Sequence, residues 1–589
     1  MTRNRLVARP PRTFLALTGV ILTTIVSSGI ANAFPAPTGH WASNTFQFRA
    51  DAARLVNDLA AQGAPFANTT EARYWVTTAA ATWRERSAAN VTITYLGDST
   101  VRCKAGDGMS TVSVDRCKRT PGTNDFTLEN SNGTIACHPG ESIITHLVLG
   151  VGNTISEVDI CFVEDVPSDF NYVDNNAYWS TVADGLNGNK YDAVGLLAWN
   201  FGVALGLSLS TSSTPKVVMN NPPFAFSSTL LRYPLGDDID ALRSVYGTAT
   251  SSRVSWSRRG TSGAWSTSTT LTYPQYPTTG ADGAIGHPAY GNSGYVGLFA
   301  TSLGSPGYVV LEKATYPMTT SSAWSGYYLN LTYFYATTGF TPALAVNTGT
   351  FSDAEWFASW AEKLTTSDTC TVLGGNKLWG ANSAYAFLPG YYFVSTYASE
   401  CTAQSPSVVY DEPSNKFLAF YVKRDFASTL HNDEIYFRSF DPVYTGTWSA
   451  PHALSVKTVG PVDAACKPGV CALTYLSADT RTPQSTMTVF VYDSSADQVT
   501  LLWSAAATYY SQLRPAVAYR EVDDTFTYAE AFNAAASSYW DDFRGYVWTK
   551  SDYYFPFVDF NQPVGTYTDH QHAIMEGVDV SWQYALMVH

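Results

Sequence analysis

The chain has 589 residues, of which 14% are charged and 14% are aromatic, and its formal net charge is −14. At roughly 100–200 residues per domain, this length predicts at least two domains, and the composition excludes a disordered or coiled-coil protein. Because acidic side chains outnumber basic ones, the surface repels phosphate backbones, and we expect no nucleic-acid partner.

The first 33 residues have the pattern of an export signal. Four arginines precede an apolar run from Phe14 to Ile30, and the small-residue site Ala31-Asn32-Ala33 follows it. The run is short for a membrane span and contains Thr and Ser, so cleavage is favoured over anchoring. We therefore expect a mature chain that begins at Phe34, is secreted or periplasmic, and has no membrane span.

Eight cysteines in an exported chain predict disulfide bonds, because thiols outside the cytoplasm meet oxidants. Four cysteines lie in each half of the sequence, and pairing between neighbours is the simplest prediction, although sequence alone leaves the connectivity open. A zinc cluster is the alternative, but no Cys-x-x-Cys spacing supports it. The disulfide candidates are Cys103, Cys117, Cys137, Cys161, Cys370, Cys401, Cys466 and Cys471.

Residues 34–247 predict an α+β domain. The stretch from Asn68 to Arg86 is predicted to be a helix, since Asn68 and Glu71 have the spacing of a capping box. Strands are predicted from Ser142 to Gly150 and from Ile155 to Val163, because both runs are apolar and β-branched. A second helix is expected to begin near Asp192. The buried face of the first helix is predicted to contain Val76, Ala79, Ala80 and Trp83.

The second helix carries a degenerate catalytic motif. The stretch from Ala198 to Ser210 resembles the active-site helix of the matrixins, the metzincin branch that includes the matrix metalloproteases. The family motif, His-Glu-x-x-His-x-x-Gly-x-x-His, binds zinc with its histidines and uses the glutamate as general base. At the motif positions this chain has Trp199, Asn200, Val203, Gly206 and Leu209, in that order.

The flanking sequence extends the resemblance over residues 40 to 247. Val217-Val218-Met219 is similar to the family's Met-turn, the stretch from Leu235 to Gly247 to its closing helix, and the stretch from Ile155 to Ile160 to its edge strand. The resemblance therefore implies a metzincin-like fold that retains Gly206 and Met219.

The same positions imply that the chemistry has been lost. Trp, Val and Leu side chains offer no lone pair to a cation, and Asn does not take up a proton as a carboxylate does. The other histidines of this half are not spaced for metal binding, and we interpret them as ordinary surface or core residues: His40, His138 and His146. We predict an inactive pseudo-metalloprotease domain with no catalytic residue, metal or cofactor.

Residues 248–589 predict an all-β domain built from quasi-repeats. Short aromatic and β-branched runs alternate with Gly, Ser, Pro and Asn. Six tryptophans recur at intervals of about 45–70 residues, and six short segments are predicted to open strands. The tryptophans are Trp265, Trp324, Trp379, Trp448, Trp503 and Trp548, and the openings begin at His287, Thr341, Ser405, Val470, Arg514 and Gln571.

Repeats of this kind favour a six-bladed β-propeller. Because Trp265 precedes the first opening and no tryptophan of the series follows the last one, we expect the first and last segments to share one blade. The repeat resembles those of sialidase-like and glycosidase-like propellers, since Thr445-Gly446-Thr447-Trp448 fits the end of their Asp-box, although the preceding Ser-x-Asp is absent. A jelly roll or paired sandwich is the structural alternative.

The candidate catalytic and metal-binding residues of the second half are scattered along the sequence. A glycosidase needs two carboxylates about 5–10 Å apart, and adjacent acidic pairs are more often solvated turns. His570 and His572 beside Asp569 form a weaker metal candidate. The acidic pairs are Asp411 with Glu412, Asp433 with Glu434, Asp523 with Asp524, and Asp541 with Asp542.

These observations favour a secreted protein whose inactive first domain accompanies a propeller that binds an extracellular glycan or protein. The alternatives are an extracellular hydrolase with glycosidase activity in the propeller, and a metallopeptidase with unconventional zinc ligands. Binding without turnover separates the first interpretation from the other two.

Overall fold

The computed structural model describes residues 37–87, 89–119, 126–128, 136–137, 143–164, 178–183, 190–209, 218–219, 232, 234 and 236–249 of the first half. In the second half it describes 402, 404–424, 433–441, 448–479, 481, 484–510 and 515, together with the further strands bounded below. The expected signal, His138, Cys370 and Cys401 lie outside the described residues. Within the described residues, no helix is both long and apolar enough to cross a bilayer.

The described residues are mostly β-structure, with helices in the first half. The helix predicted from Asn68 is confirmed: the Asn68 side-chain oxygen accepts a hydrogen bond from the Glu71 amide at 2.9 Å. The Glu71 carboxylate in turn accepts from the amide of Ala67 at 2.9 Å. The four residues of the predicted apolar face are all buried. The α-helices are α1 Ala52–Asn57, α2 Thr69–Ser87, α3 Ala193–Ala204 and α4 Gly236–Tyr246.

A mixed sheet forms the centre of the first half. Parallel strands follow the order β3-β2-β4-β8, and β7 is antiparallel to β8, which confirms the two strands predicted there. A separate parallel pair, β9 and β10, leads into α3. The strands are β1 His40–Trp41, β2 Thr45–Ala50, β3 Thr92–Asp98, β4 Thr111–Arg119, β5 Phe126–Leu128, β6 Ala136–Cys137, β7 Ile143–Leu149, β8 Thr154–Glu164, β9 Tyr178–Ser180 and β10 Lys190–Asp192.

The two faces of this sheet differ in chemistry. Val112 and Val114 of β4 pair with Ile160 and Phe162 of β8, and all four belong to the core that the helices cover. Burial of such side chains stabilises the fold by about 1.5–3 kcal/mol each. The alternate residues of both strands point the other way, because successive side chains of a strand face opposite sides. That second face carries buried Thr111, Asp115, Glu157, Asp159 and Cys161.

The second face explains a correction to the disulfide prediction. Cys103 bonds with Cys161, with 6.1 Å between their Cα atoms, so neighbour pairing is wrong there. Buried Cys103, Cys117 and Val163 pack around Cys161 on that face, so the partner is set by the fold and not by the order along the chain. Neighbour pairing is confirmed for Cys466 with Cys471. Cys117 is also disulfide-bonded, while the side chain of Cys137 lies outside the described residues.

The second half consists of antiparallel sheets, which we number I to VI. Sheet I joins the beginning and the end of the region, and the other sheets follow in chain order. Sheet I contains β11 Val254–Arg259, β12 Thr269–Thr270, β35 Gln571–Met575 and β36 Gln583–Val588. Sheet II contains β13 Thr278–Gly286, β14 Tyr295–Ser302, β15 Val309–Thr315 and β16 Ser325–Leu329. Sheet III contains β17 Tyr335–Ala336, β18 Ala343–Asn347, β19 Glu355–Lys363, β20 Val372–Ala381, β21 Ala384–Phe387 and β22 Tyr392–Phe393.

Sheets IV, V and VI have four strands each in the order of the chain. Sheet IV contains β23 Ser407–Asp411, β24 Lys416–Lys423, β25 Glu434–Phe440 and β26 His452–Lys457. Sheet V contains β27 Asp463–Lys467, β28 Val470–Leu476, β29 Gln484–Asp493 and β30 Gln498–Tyr510. Sheet VI contains β31 Ala516–Arg520, β32 Thr525–Phe532, β33 Asp542–Thr549 and β34 Phe557–Asp559.

One strand of each sheet, which we call the inner strand, contacts the inner strand of the next sheet. The series β13, β18, β23, β27, β31 and β35 proceeds in this way, and β35 contacts β13 again. In sheet I, β11 pairs with β36 from Val254 opposite Val588 to Arg259 opposite Gln583. The first and last segments of the second half therefore share one sheet, as the phase of the repeats predicts.

The predicted strand openings are confirmed at five places, and the sixth, at His287, lies outside the described residues. The segments beginning at Thr341, Ser405, Arg514 and Gln571 lead into inner strands. The segment at Val470 opens β28, the second strand of sheet V, whose inner strand starts at Asp463. The inner strands of sheets V and II each contain a buried aspartate, Asp463 in β27 and Asp282 in β13, which an apolar pattern does not detect.

The tryptophan series does not mark one structural position. Trp379 lies in the third strand of its sheet, counted outward from the inner strand, and Trp548 also lies in a third strand. Trp503 lies in a fourth strand, and Trp448 forms a bridge opposite Phe440. Trp265 and Trp324 lie outside the described residues. The spacing predicts the number of sheets, while the positions within the sheets differ.

Candidate functional site

Helix α3 lies in the middle of the first half. Asp192 caps it, since its carboxylate accepts from the amide of Val194 at 3.3 Å, which confirms the start predicted near Asp192. Most residues of the helix are buried, including Leu197, Ala198 and Phe201. A helix that is apolar on nearly every side is stable only inside a core. The stretch that resembles the matrixin motif therefore lies within the core of the first half.

The side chains at the motif positions pack against the core or form hydrogen bonds within the protein. Trp199, Val203 and Leu209 are partly buried against the core. Asn200 is fully buried, and its amide nitrogen donates to the backbone oxygen of Leu196 at 2.7 Å. The amide oxygen of Asn200 accepts from the hydroxyl of Thr145 on strand β7. The residue at the general-base position thus joins α3 to the neighbouring strand.

The described histidines of the first half, His40 and His146, do not complete a site at this helix. His146 pairs with Asp159 across β7 and β8, on the sheet face opposite to the one that α3 covers. Burial lowers the pKa of His146, although the Glu157 carboxylate opposes this effect. His40 is exposed on β1. Among the described residues, no group of three or more His, Cys, Asp or Glu side chains is arranged to hold a metal ion.

Gly206 ends α3 in a left-handed conformation with φ of +82°. A Cβ atom at this position would lie 2.0 Å from the backbone oxygen of Gly39. The last carbonyl groups of the helix are satisfied by distant residues: Trp41 Nε1 donates to Ala204 at 3.0 Å, and the Tyr246 hydroxyl donates to Leu205 at 2.8 Å. Gly206 is therefore required by close packing of the N-terminal segment on the helix.

Met219 connects the segments on which the matrixin resemblance rests. The Asp238 carboxylate of α4 accepts from the amides of Val218 and Met219 at 2.9 and 3.1 Å. The sulfur of Met219 lies against α3, since a Cβ atom on Gly202 would be 2.3 Å from it. The similar segments are thus in direct contact in the fold, although they are far apart in the sequence.

A chain of contacts leads from the start of α3 to the second half. The Arg232 guanidinium donates twice to the Asp192 carboxylate, each time at 2.7 Å, and both side chains are buried. Its Cζ atom lies 5.3 Å from the ring centroid of Trp75. The indole nitrogen of Trp75 donates to the backbone oxygen of Arg481 at 3.1 Å. The sequence offered no signal for this connection.

Two aspartates of the acidic pairs, Asp411 and Asp433, have structural partners. Asp411 caps a short 3₁₀ helix by accepting from the Ser414 amide at 3.2 Å. Asp433 forms a buried ion pair with Arg424. Asp523, Asp524, Asp541, Asp569 and His570 lie outside the described residues, and the side chains of Asp542 and His572 are not described.

Buried polar side chains join successive inner strands. The carboxylate of Asp463 accepts from the Ser407 hydroxyl at 3.0 Å and from the Val517 amide at 2.9 Å, so it links sheets IV, V and VI. Asp282 of sheet II accepts from the amide of Leu344 in sheet III at 3.0 Å. The Ser407 hydroxyl also accepts from the amide of Ala464 at 3.0 Å. A lone Asp or Ser carries no local signature, so the role of these residues is not predictable from the sequence.

A second polar cluster lies between sheets IV and V, at the end of these sheets opposite to Asp463. The Asp497 carboxylate accepts from the hydroxyls of Ser439 and Tyr492, each at 2.7 Å, and lies 3.1 Å from His452 Nε2. Lys416 Nζ is 3.4 Å from the Tyr492 hydroxyl. His452 and Asp497 remain 31% and 22% exposed, so this cluster is accessible to a ligand.

No family model and no curated protein matches the sequence. Among solved structures, the chain is similar to a lectin of Aleuria aurantia in complex with alpha-methyl-L-fucoside, with 10% identity, 51% of this chain and 85% of that chain covered, and a TM-score of 0.34. It is similar to a mutant Trypanosoma rangeli sialidase that displays trans-sialidase activity, with 7% identity, 54% and 55% covered, and a TM-score of 0.34. It is also similar to Bacillus subtilis levansucrase in complex with oligosaccharides, with 9% identity, 48% of this chain and 87% of that chain covered, and a TM-score of 0.32. At these values the likenesses decide neither the ligand nor the activity of this chain.

Proposed function

We propose that this chain is an exported binding protein and not a peptidase. In this proposal, residues 1–33 are a cleaved signal, residues 34–247 are an inactive matrixin-like domain, and residues 248–589 are a closed six-bladed propeller that binds an extracellular glycan or protein. The side chain of Asn200 carries the proposal: both ends of its amide are used inside the protein, by Thr145 and Leu196.

The loss of zinc chemistry follows from the side chains of α3. Trp199, Val203 and Leu209 have no lone pair that a zinc ion accepts, and they contribute apolar surface to the core instead. The contact of Met219 with Gly202 supports the family assignment, because it joins two segments of the resemblance. A pseudoprotease of this kind serves as a scaffold.

The propeller is supported by the cycle of inner strands and by the pairing of β11 with β36. Closing a ring removes the exposed sheet edges that an open array of sheets presents. Ligands of such rings meet loops from several sheets at one end of the central channel. Removing the four arginines of the signal takes the net charge from −14 to −18, which suits neutral or cationic sugars better than phosphates or sialic acids.

Elemental analysis of the purified mature chain tests the first domain. We expect no stoichiometric zinc and no chelator-sensitive proteolysis. A matched variant carries Trp199→His, Asn200→Glu, Val203→His and Leu209→His together, and we expect it to bind one zinc ion per chain. Zinc held by the natural chain would overturn the inactive assignment. A folded variant that binds none would overturn the matrixin-like one.

Binding assays on the mature full chain test the second domain. We expect saturable binding on a glycan array or to an extracellular protein, without release of product in a parallel hydrolysis screen. Release of sugar at enzymatic rates would favour the glycosidase alternative. Release of peptide would favour a metallopeptidase with unconventional ligands.

A further inference from the structure

The two halves of the chain are joined through Arg481, which lies in the connection between β28 and β29. Its Nη2 donates to the backbone oxygen of Ala64 at 2.5 Å, and its Nε donates to the Glu71 carboxylate at 3.3 Å. Its own backbone oxygen accepts from Trp75 Nε1 at 3.1 Å. One residue of sheet V thus makes three hydrogen bonds to the beginning of α2 and the loop before it.

Apolar burial accompanies these hydrogen bonds. Ala183 of the first half forms one buried cluster with Val459, Leu476 and Ala478 of the second half. Trp75 is 2% exposed. Separating the halves would expose this surface to water and would leave the buried Glu71 carboxylate without its cationic partner, and both changes are unfavourable.

All of these contacts lie at one end of sheet V. The amide of Val459, just before β27, donates to the oxygen of Leu476 at the end of β28 at 3.0 Å. The connections 458–462 and 477–483 are therefore at the same end, which we call the covered end. The turns 468–469 and 494–497 lie at the other end of the antiparallel strands, which we call the far end.

The first half also reaches the opposite side of the second half. Helix α2 contacts β13, the inner strand of sheet II. In the cycle of six inner strands, β13 and β27 are three steps apart in either direction, so sheets II and V face each other across the centre. A body that contacts both sheets extends over the space between them.

We infer that the first half is a fixed cover over one end of the ring and that ligands reach the second half at the far end. The inference rests on the proposed function in one respect, since it assumes that the six sheets enclose a common channel. The far end carries the Asp497 cluster, in which His452 and Asp497 are partly exposed. A sugar that binds there meets hydrogen-bonding groups of sheets IV and V together.

Hydrogen–deuterium exchange on the mature full chain tests the cover without any ligand. In the variant Arg481→Ala, we expect exchange to rise together in 62–75 and in 458–462, by about tenfold or more, because local opening exposes both sides of a lost interface. The far-end turn 494–497 should not change. Arg481→Lys retains the charge but loses the guanidinium hydrogen bond to the backbone oxygen of Ala64. It should give a smaller rise in exchange. Arg116→Ala, which removes an exposed arginine elsewhere, is the matched control.

A change confined to 477–483 would overturn the cover, because it would show that Arg481 orders only its own loop. Glycan-array affinity tests the second part of the inference. We expect the same affinity for Arg481→Ala and the natural chain, and a gain of about tenfold or more, as removal of a competing closed state gives, would place the ligand under the cover instead. If the array shows no binding by either protein, the proposed binding function and the far-end assignment fail, while the exchange result still decides the cover.

Discussion

At the scale of one residue, close packing at the end of α3 explains why position 206 is a glycine. Its φ of +82° and the 2.0 Å approach of Gly39 to a would-be Cβ atom both exclude a side chain. We expect Gly206→Ala to lower the free energy of unfolding by about 3 kcal/mol or more, since backbone must move. Gly247 has φ of +76° and no neighbour within 4 Å, so Gly247→Ala should cost only about 1–2 kcal/mol. Equal losses in urea unfolding would contradict the packing explanation.

Asp159 makes the stability of the first half depend on pH. Burial raises the pKa of Asp159 to about 7, the charges of Glu157 and Asp107 add to this, and the hydrogen bond from Thr111 opposes it. The folded state therefore holds a proton that the unfolded state releases near pH 4, and stability falls as the pH rises from about 4 to 7.

The variant Asp159→Asn tests this dependence, because an amide does not ionise and still accepts from Thr111. It should be more stable than the natural chain at pH 8 by about 1–3 kcal/mol, and the difference should vanish near pH 4. Unfolding midpoints between pH 4 and 8 measure the effect. Glu412→Gln, at an exposed position of the second half, is the control and should change the profile little. If Asp159→Asn and the control variant showed the same dependence of stability on pH, the assignment would be refuted.

At the scale of elements, the buried pair of Arg232 and Asp192 fixes the beginning of α3. Both side chains are at most 2% exposed, and Asp192 also caps the helix. Arg232→Met should cost about 3–5 kcal/mol, because it leaves a buried carboxylate without compensation. Arg116→Met is the matched change at an exposed ion pair with Glu164, and it should cost less than about 1 kcal/mol.

Calorimetry of the two variants, together with the double variant Arg232→Met with Asp192→Asn, measures the pair. We expect the double variant to recover part of the loss, since the orphaned charge is removed. If Arg232→Met were as mild as Arg116→Met, the ion pair would not be what anchors α3.

At the scale of the whole molecule, the last two strands complete the second half. Removing residues 570–589 deletes β35 and β36, and β11, β13 and β31 lose their contacts with them. We expect the second half to lose its cooperative unfolding transition, because open sheet edges and inner strands become exposed. A chain lacking only His589, which follows β36, is the control. Cooperative melting of the shortened chain at the parent temperature would count against closure.

The sequence by itself determined the features that depend on near neighbours. Asn68 and Glu71 predicted the start of α2, since a capping box is complete within four residues. Asp192 predicted the start of α3. The identities of Trp199 and Asn200 predict that no zinc binds there, because coordination depends on atoms that these side chains lack, and this stays a prediction. The phase of the repeats predicted that one sheet would contain both ends of the second half.

Only the tertiary structure decided the features that join distant residues. The bond of Cys103 to Cys161, the inner strand at Asp463 and the position of His146 behind the sheet all depend on which segments the core brings together. Arg481 and Glu71 are 410 residues apart in the chain, and neither has a local pattern that names the other. Such contacts form because packing of the two halves places them side by side, and packing is a property of the whole chain and not of any one segment.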